Sequence, residues 1–309
     1  MIYVYIRGEF VKEAKILEKA IEEAYDEGYL GKSVAGKHYQ LDMVVHRGAG
    51  AYICGEETAL LNSLEGKRGE PRIKPPYFPA VHGAFACPTV VNNVETLAAV
   101  PGIIRNGVEW FKSFGTPKNT GMKMFCVSGH VERPGLYEKP MGYPLMKLIN
   151  EDCGGIWKGR KLKAMFPGGS SSPVLTAKEC EPILLDFDTL QKAGSMLGSA
   201  AIMVIDDHTC MLQVAIRTAF FYSVESCGQC TPCREGSRWL LDLHRRLESG
   251  KGKASDLDLI RDICDKIDGK TICAFGEATA WPLGSMVKKF RAEYEQHITE
   301  GRCPFGGAH

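Results

Sequence analysis

Apolar and polar positions follow two different periods in the first third of the chain. Residues 2–6 are β-branched and aromatic, which predicts a strand, and residues 11–27 place apolar side chains at helical spacing. A second strand is expected near residues 40–46. A helix is expected from about residue 57 to Gly66, because glycine often ends a helix.

A proline-rich passage interrupts this alternation at residues 74–79, where neither a regular helix nor a central strand can form. Residues 91–96 then open a further short helix. Polar residues gather where strands give way to helices, which is where α/β folds usually bind ligands. The pattern predicts an α/β domain over residues 1–118.

The middle of the chain has a different order of elements. Strands are expected at residues 123–128, 136–139 and 161–166, with a short helix near residues 145–149. Strand–strand–helix–strand in so few residues predicts a small β-grasp domain, followed by a connector, over residues 119–204.

Helical periodicity dominates the last third. Residues 210–222 are almost continuously apolar, and residues 234–248, 255–267 and 285–298 are amphipathic. This pattern predicts a helical domain over residues 205–309.

Composition excludes several classes of protein. The net charge of +1 gives no reason to expect a nucleic acid or a membrane surface as partner. No run of eighteen apolar residues predicts direct membrane insertion, and the first residues lack the basic-then-apolar order of a signal peptide. We therefore expect a cytoplasmic protein.

The chain has twelve cysteines, most of them single residues within apolar runs. Cys126, Cys210 and Cys264 are of this kind, and we interpret them as buried thiols in a reducing compartment.

One group of cysteines is crowded. Cys227, Cys230 and Cys233 are each separated by two residues, so three thiolates can wrap one corner of a cuboidal 4Fe–4S cluster, each on a different iron. The fourth iron needs a ligand from elsewhere in the chain. Cys273, between two helical segments, is the predicted fourth ligand, with Cys264 and Cys303 as competitors.

This cysteine group has two alternative uses. Four sulfur ligands also suit zinc, but zinc sites more often present two separated Cys-x-x-Cys pairs. A thioredoxin-type redox pair needs no third cysteine and expects a βαβ setting, which the following helical segment lacks. The spacing favours the iron–sulfur cluster over both.

A glycine-rich stretch in the first domain suggests a second site. Gly48, Gly50 and Gly55 do not fit the dinucleotide pattern G-x-G-x-x-G. Glu56 and Glu57 oppose a phosphate at this helix start, but they suit ligand hydroxyl or N–H donors. The alternative is a glycine turn with two acids well placed at a helix N-terminus.

Four further side chains could complete a pocket. Lys74 could neutralise a phosphate or be a solvated lysine, and Tyr77 could stack on an aromatic ring or pack in the core. Asn92 and Asn93 could hydrogen-bond a ligand or cap the helix that follows. Together they support the hypothesis of a nucleotide or flavin pocket.

Three segments carry a resemblance to a known family. Residues 50–61 (GAYICGEETALL), 91–97 (VNNVETL) and 225–236 (ESCGQCTPCREG) resemble the NADH-binding flavoprotein subunit of respiratory complex I. The same subunit type occurs in NAD-linked formate dehydrogenases and hydrogenases. The resemblance implies a multidomain α/β plus α fold: a partial Rossmann-like FMN/NADH domain, an SLBB-type β-grasp domain and a C-terminal helical-bundle 4Fe–4S domain.

The resemblance also implies an activity and its site. NADH would give a hydride to FMN, and single electrons would pass to the cluster and on to a thioredoxin-like 2Fe–2S subunit and further iron–sulfur subunits, at the cytoplasmic face of a membrane. Lys74 and Tyr77 would face NADH. The residues that would line the FMN site are Gly55, Glu56, Glu57, Asn92, Asn93 and Thr96.

The family has an N-terminal segment, Gly-Arg-Gly-Gly-Ala-Gly-Phe-Pro, that supplies much of the FMN phosphate contact. These 309 residues have no counterpart of it. We expect FMN and NADH binding to need this segment from a longer form or a separate chain. The alternatives are a non-catalytic iron–sulfur relay or scaffold subunit, or the equivalent subunit of an NAD-linked hydrogenase or formate dehydrogenase.

Overall fold

A computed structural model describes residues 1–306 of the chain. Backbone contacts divide these residues into two compact units, Met1–Val91 and residues 92 onward. Each unit mixes helices and strands, as the sequence predicts. The boundaries at residues 118 and 204 remain predictions.

The first unit is built on two parallel strands. β1 (Ile2–Ile6) pairs with β2 (Met43–Arg47), and α1 (Val11–Asp26) lies between them in sequence. Parallel strands need such a crossover, because a hairpin turn can only join antiparallel neighbours. The predicted strands and helix are confirmed to within about three residues.

Two shorter helices complete the first unit. α2 (Glu57–Leu64) follows β2 through a single 3-10 turn, and α3 (Pro79–His82) follows the proline-rich passage. α2 buries Thr58, Ala59 and Leu61. The segment between α2 and α3 is the one that carries Lys74 and Tyr77.

The second unit opens with α4 (Val94–Asn106) and α5 (Val108–Lys112). The helix expected at residues 91–96 is therefore confirmed but longer than predicted. Neither α4 nor α5 contains a fully buried residue.

A five-stranded sheet follows, in the order β4-β3-β9-β6-β7. β3 and β9 are parallel, and the other pairs are antiparallel. β5 and β8 form a separate two-stranded ladder. The strands are β3 (Met122–Gly129), β4 (Gly135–Pro140), β5 (Tyr143–Pro144), β6 (Leu162–Phe166), β7 (Leu175–Thr176), β8 (Leu184–Leu185) and β9 (Ala201–Asp206).

Short helices cover this sheet: α6 (Leu145–Lys147), which continues as a π-helix over Leu148–Asp152, then α7 (Ala177–Cys180) and α8 (Phe187–Lys192). Phe125 and Val127 of β3 are buried in the same core as Leu145. The three predicted strands and the short helix are confirmed, but β9 was not predicted.

Five helices form the last part of the unit and share one apolar core. α10 packs against α9, α11 and α12. The bounds are α9 (Met211–Glu225), α10 (Thr231–Glu248), α11 (Ala254–Ile267), α12 (Phe275–Lys289) and α13 (Arg291–Glu300).

The prediction of one helix over residues 285–298 is wrong. α12 begins ten residues earlier and contains Pro282, and the chain turns at Phe290, whose φ of −115° and ψ of 25° are not helical. The amphipathic pattern runs through this break because Phe290 itself packs on the core. Pro282 hides the true start, since proline usually marks a helix end.

The interpretation of Cys126 as a buried thiol is also wrong. Cys126 is exposed, while its neighbours Phe125 and Val127 are buried. Side chains alternate across a strand, so only every second residue of β3 reaches the core. Cys210 and Cys264 are buried as expected. Among the described residues, none of the helices is long and apolar enough to cross a membrane.

Candidate iron–sulfur and flavin sites

The three closely spaced cysteines lie where α9 gives way to α10. Cys227 is in the connecting turn, Cys230 directly precedes α10, and Cys233 is in its first helical turn. The turn depends on Gly228, whose φ of +83° is a conformation that favours glycine. Cys233 is buried, and the other two are half-buried.

The start of α10 favours negative charge on these sulfurs. The N-terminus of a long helix carries partial positive charge and unpaired N–H groups. Arg234 adds a full positive charge; its Nη1 donates to the Gly228 carbonyl oxygen at 2.7 Å, and its Nε donates to Glu235 at 2.9 Å. The guanidinium thus closes the turn that carries Cys227 and Cys230.

Cys233 reports how close the three thiols are. Burial raises the pKa of its thiol, the Ser226 hydroxyl at 3.2 Å from Sγ opposes that rise, and the charges of Cys227 and Cys230 add to it. Like charges in a buried place disfavour one another unless a cation joins them. A metal centre would remove this repulsion by displacing the thiol protons.

The second stretch reaches the first through a backbone contact. The Ile272 N–H donates to Cys230 Sγ at 3.3 Å, so the residue next to Cys273 touches the first cysteine group. Thr271 Oγ1 donates to the Cys273 carbonyl oxygen at 2.8 Å, which holds this short loop ahead of α12. Cys273 is half-buried there.

Aromatic packing fixes the loop against α9. The rings of Tyr222 in α9 and Phe275 in α12 are 5.3 Å apart and meet edge to face. Tyr222 also hydrogen-bonds Ser170 at 3.0 Å. Since Tyr222 lies five residues before Cys227 and Phe275 lies two after Cys273, this contact positions both stretches.

The two competing cysteines lie in other surroundings. Cys264 is part of the helical core, where burial raises the pKa of its thiol to about 12. Cys303 lies after α13, with its Sγ within 4.8 Å of ligand atoms from Cys210 and His297. Neither cysteine lies in the loops that carry the predicted ligands.

This donor set suits a 4Fe–4S cluster. It offers sulfur ligands from two stretches, with backbone N–H donors and a guanidinium nearby, and such groups hold and tune iron–sulfur clusters. The sequence did not identify Ser226, Tyr222 or the Ile272 N–H as contributors. A backbone donor leaves no signal in residue type, and Tyr222 lies within an apolar run.

In the first unit, Glu56 caps α2. One carboxylate oxygen of Glu56 accepts from the N–H groups of Thr58 and Ala59, at 2.8 and 2.9 Å. Burial raises the pKa of Glu56, but these hydrogen bonds and Lys74 hold it below its ordinary value. The expected placement of acids at this helix start is therefore what the structure has.

Lys74 is neither a solvated lysine nor an unneutralised phosphate ligand. Its Nζ lies 2.7 Å from Glu57 and 3.1 Å from Glu56, and its side chain is 27% exposed. Two carboxylates already balance its charge. This cluster suits ligand hydroxyl or N–H groups better than a phosphate, because carboxylate oxygens only accept hydrogen bonds.

An ion pair anchors the segment that presents Lys74. Arg72 donates to Glu65 at 2.8 Å, to Asn62 at 2.8 Å and to the Gly83 carbonyl oxygen at 3.0 Å. Both charged side chains are largely buried. Burial raises the pKa of Glu65, but the hydrogen bonds from Lys67, Arg72 and the Phe85 N–H together lower it to about 2.

The glycine-rich stretch has a packing explanation at Gly48. A Cβ at this position would lie 2.5 Å from the Tyr5 hydroxyl, which itself hydrogen-bonds Ser63 at 2.9 Å. Glycine is required there by the approach of Tyr5 to α2. This supports the glycine-turn interpretation for this residue.

The remaining predicted ligand residues are spread over the two units. In the first unit, Gly55 ends the turn before Glu56, and Tyr77 is 47% exposed with its ring edge-on to His82. In the second unit, Asn93 caps α4 by accepting from the Glu95 N–H at 2.8 Å. Asn92 and Thr96 are exposed beside it.

Family models match three parts of the chain. Residues 1–102 match the Nuo51 FMN-binding domain, residues 123–204 match the SLBB domain, and residues 213–297 match the NADH-ubiquinone oxidoreductase-F iron-sulfur binding region. The last range contains all four predicted cluster cysteines. The chain thus carries the FMN-binding and 4Fe–4S-binding regions of one kind of protein.

Known proteins match nearly the whole chain. It is 53% identical over 303 residues to the second F-type NADH-quinone oxidoreductase protein of Rhizobium meliloti (strain 1021), covering 98% of this chain and 72% of that protein. It is 52% identical to the mitochondrial NADH dehydrogenase [ubiquinone] flavoprotein 1 of Dictyostelium discoideum, covering 96% of this chain and 62% of that one.

Solved structures agree. An NAD⁺-reducing [NiFe]-hydrogenase in the air-oxidized state superimposes with a TM-score of 0.84 at 34% identity, covering 96% of this chain and 48% of that chain. The H2-reduced state gives a TM-score of 0.81 at 31% identity. Together with the family models and the relatives of known sequence, these matches show that the chain belongs to the NADH-ubiquinone oxidoreductase-F family of NADH dehydrogenase flavoproteins.

Proposed function

We propose that this chain is the electron-input subunit of a larger NADH-oxidising complex, with a 4Fe–4S cluster on Cys227, Cys230, Cys233 and Cys273. The observation that carries the proposal is the Ile272 N–H donating to Cys230 Sγ, because it joins two stretches separated by two helices. The match of residues 213–297 to an iron–sulfur binding region supports it independently.

The chain's own groups would set the properties of that centre. The positive end of α10, Arg234 and the Ile272 N–H all stabilise negative charge on the sulfurs. Hydrogen bonds and positive charge near a cluster favour its reduced form and therefore raise its potential. Ser226, beside Cys233, adds a further donor.

The flavin region would orient the reactants. Bound FMN would supply hydride acceptance from NADH and one-electron release. We propose that Glu56, Glu57, Asn92 and Thr96 accept hydrogen bonds from, or donate them to, the flavin, with Gly55 permitting close approach. Lys74 and Tyr77 would face NADH. Asn93 has a capping role and would use its remaining amide donors.

The family's glycine-rich segment before the first strand is part of this proposal. We propose that hydride transfer by this chain needs that segment, supplied by a longer form or a separate chain. We also propose a Rossmann-like first domain over residues 1–118, a β-grasp domain over 119–204 and a helical domain over 205–309. A thioredoxin-like 2Fe–2S subunit would accept the electrons at the cytoplasmic face of a membrane.

A second candidate is the equivalent subunit of an NAD-linked hydrogenase. The structural match to the NAD⁺-reducing [NiFe]-hydrogenase favours it, since that match covers 96% of this chain. Identification of the chains that co-purify with the native protein distinguishes the two. Quinone-reductase partners support the main proposal, and hydrogenase partners support the second.

The catalytic test uses anaerobically purified chain, with FMN added, in an NADH:ferricyanide reductase assay. We expect low activity from the chain alone and a rise when a polypeptide bearing the glycine-rich segment is added. Glu57→Gln should lower the activity, whereas Glu109→Gln, in an exposed acid of α5, should not. Unchanged activity in Glu57→Gln would remove that residue from the site.

The same preparation tests whether the chain is a relay without flavin. Flavin fluorescence released by denaturing the native complex should be stoichiometric with this chain. A complex that contains iron but releases no flavin would favour the relay and contradict the proposed hydride transfer.

A further inference from the structure

A second group of metal-ligating side chains lies in the helical part of the chain, apart from the predicted cluster ligands. Cys210 directly precedes α9, Glu248 ends α10, His297 is in α13, and Cys303 follows α13. One ligand atom from each lies within 4.8 Å of the others. Cys210 and His297 are buried, and Glu248 and Cys303 are half-buried.

The orientation of His297 is fixed by the backbone. Its Nδ1 lies 2.7 Å from the Glu293 carbonyl oxygen, an atom that can only accept, so Nδ1 carries the proton. In the neutral ring, Nε2 then presents a lone pair to Cys210 Sγ at 3.3 Å and to Glu248 Oε2 at 3.4 Å. Metal-binding histidines usually have this outer hydrogen bond to a carbonyl or carboxylate.

Glu248 creates a conflict that a cation resolves. Its Oε1 accepts from Gln213 Nε2 at 3.1 Å, but its buried Oε2 accepts no hydrogen bond and faces the Nε2 lone pair. Two acceptors facing each other in a buried place are unfavourable. Either a second proton on His297 or a metal ion between the atoms removes the repulsion.

The thiols favour the metal over the proton. Cys210 lies at the N-terminus of α9, where the helix dipole stabilises a thiolate. Burial raises the pKa of this thiol, and the neighbouring Cys303 thiol raises it further. A proton on His297 satisfies one acceptor pair and leaves two adjacent thiols without a role, whereas a metal uses all four groups.

The ligand chemistry selects the ion. Two thiolates, one imidazole and one carboxylate are a four-ligand set typical of Zn²⁺, while Ca²⁺ and Mg²⁺ prefer oxygen ligands alone. We propose that Cys210, Glu248, His297 and Cys303 bind one Zn²⁺ ion in a structural site. Binding releases two thiol protons to solvent and leaves the site with a net charge of −1, from three anionic ligands and the dication.

The site would join both ends of the helical core. α9 and α10 carry the proposed zinc ligands at one end and the predicted cluster cysteines at the other. A helix of 15 residues is about 22 Å long, so the zinc would lie far from the cluster cysteines. Its role would be to hold the segment after α13 against the first residues of α9 and the last residue of α10.

A network beside the site already ties these elements together. Glu293 of α13 accepts from the Met211 N–H at the start of α9 and pairs with Lys163 of β6 at 2.6 Å. Lys163 also donates to the Thr209 carbonyl oxygen at 2.6 Å. These contacts set the position of His297 on α13 relative to Cys210 without a metal, so the site is preformed.

The test measures zinc and iron separately in the anaerobically purified full chain, from cells grown with zinc. Wild-type protein should contain about one zinc per chain in a four-coordinate sulfur and nitrogen environment, with Zn–S distances of about 2.3 Å by X-ray absorption. Cys303→Ser should lose most of the zinc and keep its iron. Cys126→Ser, at an exposed thiol, should keep both metals.

Two further results separate this site from the cluster. Cys230→Ser should lose iron and keep zinc, since Cys230 lies at the other end of α10. His297→Gln should lose zinc; if it fails to fold, Cys303→Ser still decides, because Cys303 is outside the helices. Zinc-free wild-type protein, a Cys210–Cys303 disulfide in that protein, or zinc retained in Cys303→Ser would each overturn the proposal.

Discussion

Glu65→Gln tests whether the Glu65–Arg72 ion pair fixes the segment that presents Lys74 and Tyr77. The side chain of Glu65 is 6% exposed and that of Arg72 is 14% exposed, so solvent screens the pair little. The pKa of Glu65 falls from 4.5 to about 2 on folding. That difference corresponds to roughly 3 kcal/mol of folding free energy at neutral pH.

The pH dependence has a definite sign. A lowered carboxyl pKa contributes stability above the ordinary value of 4.5 and loses it as pH falls toward 2. The difference between wild type and Glu65→Gln should therefore be roughly 3 kcal/mol at pH 7 and about 1 kcal/mol at pH 3. Glutamine keeps an acceptor for the Phe85 N–H but has no charge for Arg72.

Hydrogen–deuterium exchange of peptides from α2 is the appropriate assay. All four tryptophans lie beyond residue 91, so tryptophan fluorescence does not report on the first unit. At pH 7, exchange in α2 should be faster by on the order of 100-fold in Glu65→Gln. The matched control is Glu70→Gln, whose partner Arg68 is 73% exposed; it should change by less than about 0.5 kcal/mol. Equal effects of the two variants, or a difference that does not shrink at pH 3, would refute the reasoning.

Three further variants test local features. Asn93→Ala removes the cap of α4 and should speed exchange in its first turn by an amount equivalent to about 1 kcal/mol; unchanged exchange would contradict the capping role. Asp206→Asn should cost about 3–5 kcal/mol in thermal or urea unfolding, because a fully buried carboxylate accepts from Trp157 and Arg160 there; a loss below about 1 kcal/mol would contradict this. Gly228→Ala should cost about 1–2 kcal/mol through its positive φ and speed iron loss to a chelator, whereas equal rates would show that the turn tolerates a side chain.

Sequence periodicity predicted most elements where one period dominates. β1 was predicted at its observed residues, and α1 and α11 to within a residue or so, because their apolar positions recur at one spacing. β9 was missed since residues 201–206 are nearly all apolar, with no alternation to mark a strand buried in the middle of a sheet. The break at Phe290 was missed because no glycine or proline marks it.

The sites were predictable only in part. The spacing of Cys227, Cys230 and Cys233 identifies the predicted cluster ligands from sequence alone, since three thiols so close have few other uses. The pairing of Lys74 with Glu56 and Glu57 was not predicted, because residues 17 and 18 positions apart meet only through the turns around the proline-rich passage.

The group of Cys210, Glu248, His297 and Cys303 was not identified from sequence for a related reason. Its members come from four separate segments, with no short motif between them. Cys210 was interpreted as a buried thiol, which is correct for its burial but gives no information on its neighbours.

The most direct test of the central claim is the EPR spectrum of anaerobically prepared, dithionite-reduced chain in which Cys273 is replaced by serine. We predict that wild type and Cys264→Ser give the same reduced 4Fe–4S signal, with equal iron and sulfide content, and that Cys273→Ser loses or alters that signal. An unchanged spectrum in Cys273→Ser, with the signal lost instead in Cys264→Ser, would contradict the assignment of the two stretches to one cluster.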